Sequence, residues 1–314
     1  MRRKFFALIF VGFLTVILSV AVNANPDGPR ITNPIQYSEH KIGSDVKIYW
    51  KAPDSKYGSV DHYVISIRKF YTKENVNNSS SGSLIVDNIP CPKLTTSCTI
   101  SGSMLEKYYL ESTADKKYRK YRISVCAVME DGTKRWSNHQ YFYISAHNTP
   151  ADKPISFHIY NGFTTDSKNQ VYYACQNWNN KLDIGREIVN TYPFTMGTND
   201  IDVNLNDRVN IVTKSNLKAT GGIMTTYIIR NSDYKLRESD IMVNSYHSWA
   251  NSSQPEKYNF YNAITHEIGH VVGLTDKYDS WATEWTMYGY ADYNEDKKIT
   301  LTLRDIANGI SLYD

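Results

Sequence analysis

At 314 residues the chain is long enough for two cores, on a prior of roughly 100–200 residues per domain. Its 41% hydrophobic and 21% charged residues, with 25 tyrosines, exclude a disordered chain, which could not bury enough apolar surface to offset its ordering entropy. A net charge of +3, without any long run of lysine and arginine, excludes an extended nucleic-acid track.

The first 24 residues, MRRKFFALIFVGFLTVILSVAVNA, read as a signal peptide. Arg2, Arg3 and Lys4 precede the apolar run from Phe5 to Val22, and small residues end it at Ala24. An uncleaved anchor is the competing reading, because the run is close to the shortest that spans a bilayer. The polar NPDGP that follows at once favours cleavage, so the mature chain is expected to be secreted with no stable membrane anchor.

From residue 30 to 145 the pattern is strand-like: DVKIYWKAP, DHYVISIRKFY, GSLIVDNI, SCTISG, KYRISVCAV and RWSNHQYFYIS alternate apolar with polar residues between Gly, Asn, Asp and Ser turns. Short strands of this kind predict an all-β sandwich. VKIYWKAP, with Trp50 ahead of Pro53, and YRISVCAVMEDGTKRWS, with its Gly132 turn, resemble strands B and F to G of a fibronectin type III module. Such modules space or bind, so the N-terminal domain is expected to carry no chemistry and to bind a protein or a surface, or to act as a spacer. Four cysteines in an exported chain leave three pairings open. Cys91 and Cys98 bracket the loop CPKLTTSC and are expected to form a disulfide, with Cys126 and Cys175 as buried thiols in separate domains.

Residues 146–154, rich in proline and polar groups, read as a linker. The composition then changes. ISFHIYNGF predicts a strand, and VYYACQNWNNKLD a helix with Val171, Ala174, Cys175 and Trp178 at i, i+3, i+4 and i+7. VNIVTKSNL, GGIMTTYII and SDIMVNS predict three further strands, and YNFYNAITHEIGHVVGL a second helix. Residues 155–314 are therefore α+β.

Within the second helix, His266 and His270 are four apart and share a face, where both can reach one cation. Zinc accepts imidazole nitrogen at about 2.0–2.1 Å and needs one more protein ligand in an open catalytic site. Glu267 stands where a general base takes a proton from an attacking water. Gly273 is expected to end the helix in a left-handed turn that brings Asp276 round as third ligand. Chance produces the bare His-Glu-x-x-His pattern in on the order of one chain in a hundred.

These residues resemble the metzincin zinc endopeptidases, and among them the matrixins. His266, Glu267, His270 and Gly273 match the zinc motif, Met287 in WTMYGYADY falls where the family's Met-turn lies, and LTLRDIANGISLYD is similar to its closing helix. Asp276 departs from the matrixin histidine and matches the aspartate of snapalysin-like metzincins. The resemblance implies a zincin-like catalytic domain over 155–314, Zn2+ held by His266, His270 and Asp276, and Glu267 as catalytic base. It implies a secreted endopeptidase acting on extracellular polypeptides, bound in extended conformation along the edge strand Gly221 to Ile229. Loops such as DSWATEW are expected to select the substrate. Ca2+ is common among matrixins, and DYNEDKKIT offers Asp292, Asn294 and Asp296, but it lacks the glycine and closing acid of a calcium loop and reads better as a surface turn capped by Thr302 and Asp305. No PRCGxPD latency segment occurs. Two other functions fit less well: an inactive fibronectin-like adhesin, disfavoured by the intact Glu267, and another zinc hydrolase, disfavoured by the Met-turn and closing helix.

Overall fold

The computed structural model describes residues 27–69, 83–105, 120–145, 147, 154–193, 197–198, 207–219 and 221–313; the segment 1–24, expected to be a signal peptide, lies outside them. Two hydrophobic clusters divide the described residues, one drawing on positions 31 to 144 and the other on positions 155 to 312.

The first cluster lies between two sheets. One has the order β1 (Arg30–Asn33), β3 (Val46–Lys51), β6 (Ser97–Ile100). The other has the order β2 (Ser38–His40), β9 (Gln140–Ile144), β7 (Lys120–Met129), β4 (Val60–Lys69), β5 (Ser83–Pro92), and β8 (Lys134–Trp136) pairs with β7. Alternate residues of β3, Val46, Ile48 and Trp50, point inward and are buried, as a period of two requires. They meet Tyr63, Ile65 and Ile67 of β4, and the Trp50 ring stands edge-on to Tyr63 with centroids 5.3 Å apart. RWSNHQYFYIS divides into β8 and β9, and β1 and β2 add strands that alternation does not mark.

All four cysteines stand as free thiols, and Cys91 and Cys98, the pair expected to form a disulfide, lie within side-chain hydrogen-bond reach of each other. Cys91 lies on β5 and Cys98 on β6, strands of different sheets, and each Sγ turns toward a backbone carbonyl: Ile89 at 3.9 Å and Thr99 at 3.8 Å. Burial, with the neighbouring Cys98, pushes the Cys91 thiol up to about 12.

The second cluster packs around a five-stranded sheet of order β11 (Val189–Thr191), β10 (Ile155–Ile159), β12 (Ile211–Ser215), β14 (Leu236–Asn244), β13 (Met224–Arg230). The first four pair in parallel and β13 runs antiparallel on the outer edge. Helix α1 (Thr165–Leu182) starts at Thr164, whose hydroxyl accepts the Ser167 N–H, and buries Val171, Ala174, Cys175 and Trp178. Two short strands, β15 (Trp249–Ala250) and β16 (Tyr258–Asn259), lead into α2 (Phe260–Val272). Asn259 caps α2 by accepting the N–H groups of Tyr261 and Asn262. Apolar residues surround this helix on most sides, so it lies in the core, and Trp178 Nε1 donates to the Thr265 carbonyl at 2.8 Å to hold it against α1. Helix α3 (Leu303–Ser311) closes the unit, with Thr302 accepting the Asp305 N–H at 3.2 Å.

The two units meet over a polar, largely buried contact. Glu39 of β2 pairs with Lys277 at 2.7 Å, Tyr143 of β9 donates to Asp279 at 2.6 Å, and Lys120 of β7 pairs with the same carboxylate. Asn308 and Ser311 of α3 donate to the carbonyls of Tyr37 and Glu39 at 3.3 and 3.0 Å. The segment expected to link the units is not wholly exposed. His147 is buried, and its Nε2 lies 2.9 Å from the His270 carbonyl oxygen at the end of α2. Among the described residues, no helix is long and apolar enough to cross a membrane.

Candidate metal centre

Helix α2 ends at Gly273, whose φ of 116° only glycine adopts without strain. The Gly273 and Leu274 N–H groups return to the carbonyls of His270 and Gly269, both at 3.0 Å, and the chain reverses past the helix end. The reversal carries Asp276 to the face that bears His266 and His270. Asp276 Oδ1 lies 3.1 Å from His266 Nε2 and 3.4 Å from His270 Nε2. Donors about 2.0–2.1 Å from one tetrahedral ion stand about 3.3 Å apart, so Asp276 Oδ1 has the spacing of a zinc ligand from each Nε2, and all three donor atoms lie within 4.8 Å of one another.

The hydrogen bonds fit the same assignment. His266 Nδ1 is 2.7 Å from the Thr286 carbonyl and His270 Nδ1 is 2.9 Å from the Leu274 carbonyl. An N–H donated from each Nδ1 leaves each Nε2 lone pair facing the shared point, which is how outer partners orient metal-binding imidazoles. The second carboxylate oxygen of Asp276 accepts the Tyr278 hydroxyl at 2.8 Å. The Asp276 carboxylate favours positive charge on the groups beside it. Burial lowers the His270 imidazole, but Asp276 and Glu267 outweigh it and raise the group to about 9. Burial raises Asp276, yet the two imidazoles hold it well below the usual carboxylate range.

Glu267 is buried but does not join the convergence; its Oε2 accepts the Thr226 hydroxyl of β13 at 2.6 Å. Met287 lies fully buried beneath the helix, where a Cβ on Gly269 would collide with its sulfur. A cleft of about 370 Å³ opens over these groups, between Met224–Thr226 of β13 and residues 289–291. Lys298 adds a buried cation to its lining; its Nζ donates to the Tyr288 carbonyl at 2.6 Å, and burial lowers its pKa although Glu295, Asp276 and Glu267 oppose this.

Among the described residues, His266, His270 and Asp276 form the one group of histidine, cysteine and acidic side chains whose donor atoms lie within 4.8 Å of one another. Asp292, Asn294 and Asp296 gather no such group; the Asp292 N–H donates to Glu295, and a single turn at Lys297–Ile299 leads to the Thr302 cap. The DSWATEW loop does not line the cleft. Trp281 packs against Tyr37 with ring centroids 3.8 Å apart and planes tilted by 32°, and Asp279 faces Tyr143 and Lys120, so aromatic and ionic contacts draw this loop to the sandwich. Thr226, Tyr278 and Lys298 carry no motif. Only Tyr278 had a local signal, since in an extended segment it shares a side with Asp276 two residues earlier.

Residues 151–314 match the family model described as Matrixin. The chain belongs to the matrixin family, and that membership implies a zinc metalloprotease domain. No curated protein matches the chain. Among solved structures, the fibronectin(III)-like modules of Clostridium thermocellum CbhA share 15% identity over 37% of this chain and 93% of theirs, with a TM-score of 0.24. A polysaccharide deacetylase from Bacillus cereus shares 10% identity over 61% of this chain and 52% of its own, with a TM-score of 0.26.

Proposed function

We propose that the chain is an exported zinc endopeptidase with His266, His270 and Asp276 as metal ligands and Glu267 as general base. One observation carries the reading: two Nε2 atoms and Asp276 Oδ1 converge at 3.1 and 3.4 Å while both Nδ1 atoms are engaged by carbonyls. Bound there, zinc supplies a Lewis acid that polarises a carbonyl and lowers the pKa of an attacking water. Glu267 takes the proton of that water and returns it to the leaving amine. Thr226 fixes the direction of the carboxylate through its 2.6 Å hydrogen bond.

Among the described residues β13 pairs with a strand, β14, along one edge alone, and this geometry supports an extended polypeptide as substrate. Thr225 and Thr226 of β13 border the cleft. A substrate laid along the other edge adds a strand and brings its backbone carbonyls past Glu267. Secretion rests on the Arg2-Arg3-Lys4 and apolar pattern ending at Ala24.

The test is metal content by mass spectrometry together with casein cleavage, for the parent beside Glu267→Ala and Asp276→Ala. The reading expects one zinc per chain and cleavage in the parent, zinc without cleavage in Glu267→Ala, and loss of zinc in Asp276→Ala. A parent without zinc, or a zinc-loaded parent inert toward a broad peptide library, would refute it.

A further inference from the structure

We infer that the N-terminal sandwich helps to build the metal centre, with Glu39 of β2 as a positioning residue for Asp276. The inference rests on the proposed role of Asp276 as a ligand.

After Gly273 the chain runs extended, and extended residues alternate sides. Asp276 and Tyr278 turn to the cleft, while Thr275, Lys277 and Asp279 turn to the sandwich. Glu39 holds the sandwich side at two points. Its Oε1 accepts the Thr275 backbone N–H at 2.9 Å, and its Oε2 accepts the Lys277 ammonium at 2.7 Å. Lys277 Nζ also donates to Thr275 Oγ1 at 2.9 Å and stands 3.7 Å from the centroid of the Tyr143 ring. The backbone of Lys277 is tied on its other flank to the Met287 segment: its N–H reaches the Met287 carbonyl at 2.7 Å, and its carbonyl accepts the Gly289 N–H at 2.9 Å. The residues on either side of Asp276 are thus fixed from both flanks, one by the catalytic unit and the other by Glu39.

An ion pair as buried as Glu39–Lys277, each 1% exposed, is a poor source of net stability, because desolvation offsets its attraction. Its geometry does what an apolar contact cannot. A hydrophobic seam would tolerate a slip of the segment, and a slip of one residue would turn Asp276 away from the histidines. The bond to the Thr275 N–H sets that register, since it engages the backbone next to the ligand. Glu39 therefore acts on the metal through Asp276 as an outer partner located in a different folding unit. Loss of such a partner typically weakens metal binding about 10- to 100-fold.

The experiment uses the full chain and compares the parent with Glu39→Met, which removes the acceptor for the Thr275 N–H, with Glu39→Met/Lys277→Met, which leaves no unpaired buried charge, and with Asn308→Ala, which removes a contact of the same interface away from Asp276. Three quantities are read: the zinc dissociation constant by competition with a chromogenic chelator, the visible spectrum of the Co2+-loaded protein, and the melting temperature of the metal-free protein. The expected result is that Glu39→Met, and the double variant equally if the single one does not fold, binds zinc about 10- to 100-fold more weakly with altered Co2+ bands. Asn308→Ala should lower the melting temperature and leave both metal readouts unchanged. Parental zinc affinity and parental bands in the Glu39 variants overturn the inference while the ligand assignment stands. Equal weakening by Asn308→Ala also overturns it, because the effect would then follow interface stability alone. A parent that binds no zinc overturns the ligand assignment itself, and the inference with it.

Discussion

The Tyr278 hydroxyl donates to Asp276 Oδ2 at 2.8 Å, and this leaves Oδ1 as the carboxylate oxygen that faces both histidines. A carboxylate free to rotate would offer either oxygen and lose part of its advantage as a preset ligand. Tyr278→Phe keeps the ring and removes only the donor. The variant should fold with parental stability and bind zinc about tenfold more weakly, measured by chelator competition.

Gly269 lies between the two histidines, on the side of α2 that faces Met287 and Trp178. A Cβ there would collide with Met287 Sδ and come within 2.8 Å of Trp178 Cζ2. Alanine gains about 1 kcal/mol of helix propensity over glycine. Overpacking costs about 1–3 kcal/mol, and the fully buried Trp178 cannot retreat, so Gly269→Ala should be destabilising on balance. Urea denaturation checks this. The Gly269→Ala/Met287→Ala double variant should lose less than the sum of its parts, because the second change vacates the space that the first requires.

Thr226 is the one side chain of the edge strand bonded to the Glu267 carboxylate, among the described residues. A hydrogen bond to a charged group is worth about 1.5–3 kcal/mol. Thr226→Val keeps the shape of the strand and releases the carboxylate. The expected outcome is parental zinc content with kcat/KM on peptide substrates reduced roughly tenfold or more, most of the loss in kcat. A loss confined to KM would instead assign Thr226 to substrate binding.

Regular periodicity made most of the fold legible. Val171, Ala174, Cys175 and Trp178 mark one face of α1, and Val46, Ile48 and Trp50 one face of β3, because burial of one side imposes those spacings. The zinc motif was legible for the same reason: His266 and His270 meet because a helix turn separates them, and Gly273 marks the turn that returns Asp276. The interface was not legible. β2 reads only Ser-Glu-His, and its central glutamate is buried against a loop 236 and 238 positions away, a contact that no local pattern encodes. Polar residues normally signal exposure, so Glu39, Lys120, Lys277 and Asp279 are misread until their partners are known. The DSWATEW loop is expected to select substrate because specificity commonly resides in loops, yet contacts with distant Tyr37, Lys120 and Tyr143 hold it to the sandwich, and His147 in the expected linker is buried.

Asp240 of β14 supplies a pH test of the fold that does not involve the cleft. It is 1% exposed, its Oδ1 accepts the Ile211 N–H at 3.1 Å, and Glu238 and Asp207 are its charged neighbours. Burial above all, with repulsion from the two acids, raises its pKa to about 7, although the Ile211 hydrogen bond opposes this. In the unfolded chain it titrates near 3.9. Between about pH 4 and 7 the native state therefore keeps a proton that the unfolded state has lost, and stability falls as pH rises through this window. Asp240→Asn retains the acceptor for Ile211 and has no charge to bury. The variant should match the parent near pH 4 and exceed it by on the order of 2 kcal/mol at pH 8, read from urea denaturation at the two pH values. A stability difference that does not change with pH would show that Asp240 ionises as easily in the folded protein as in the unfolded chain.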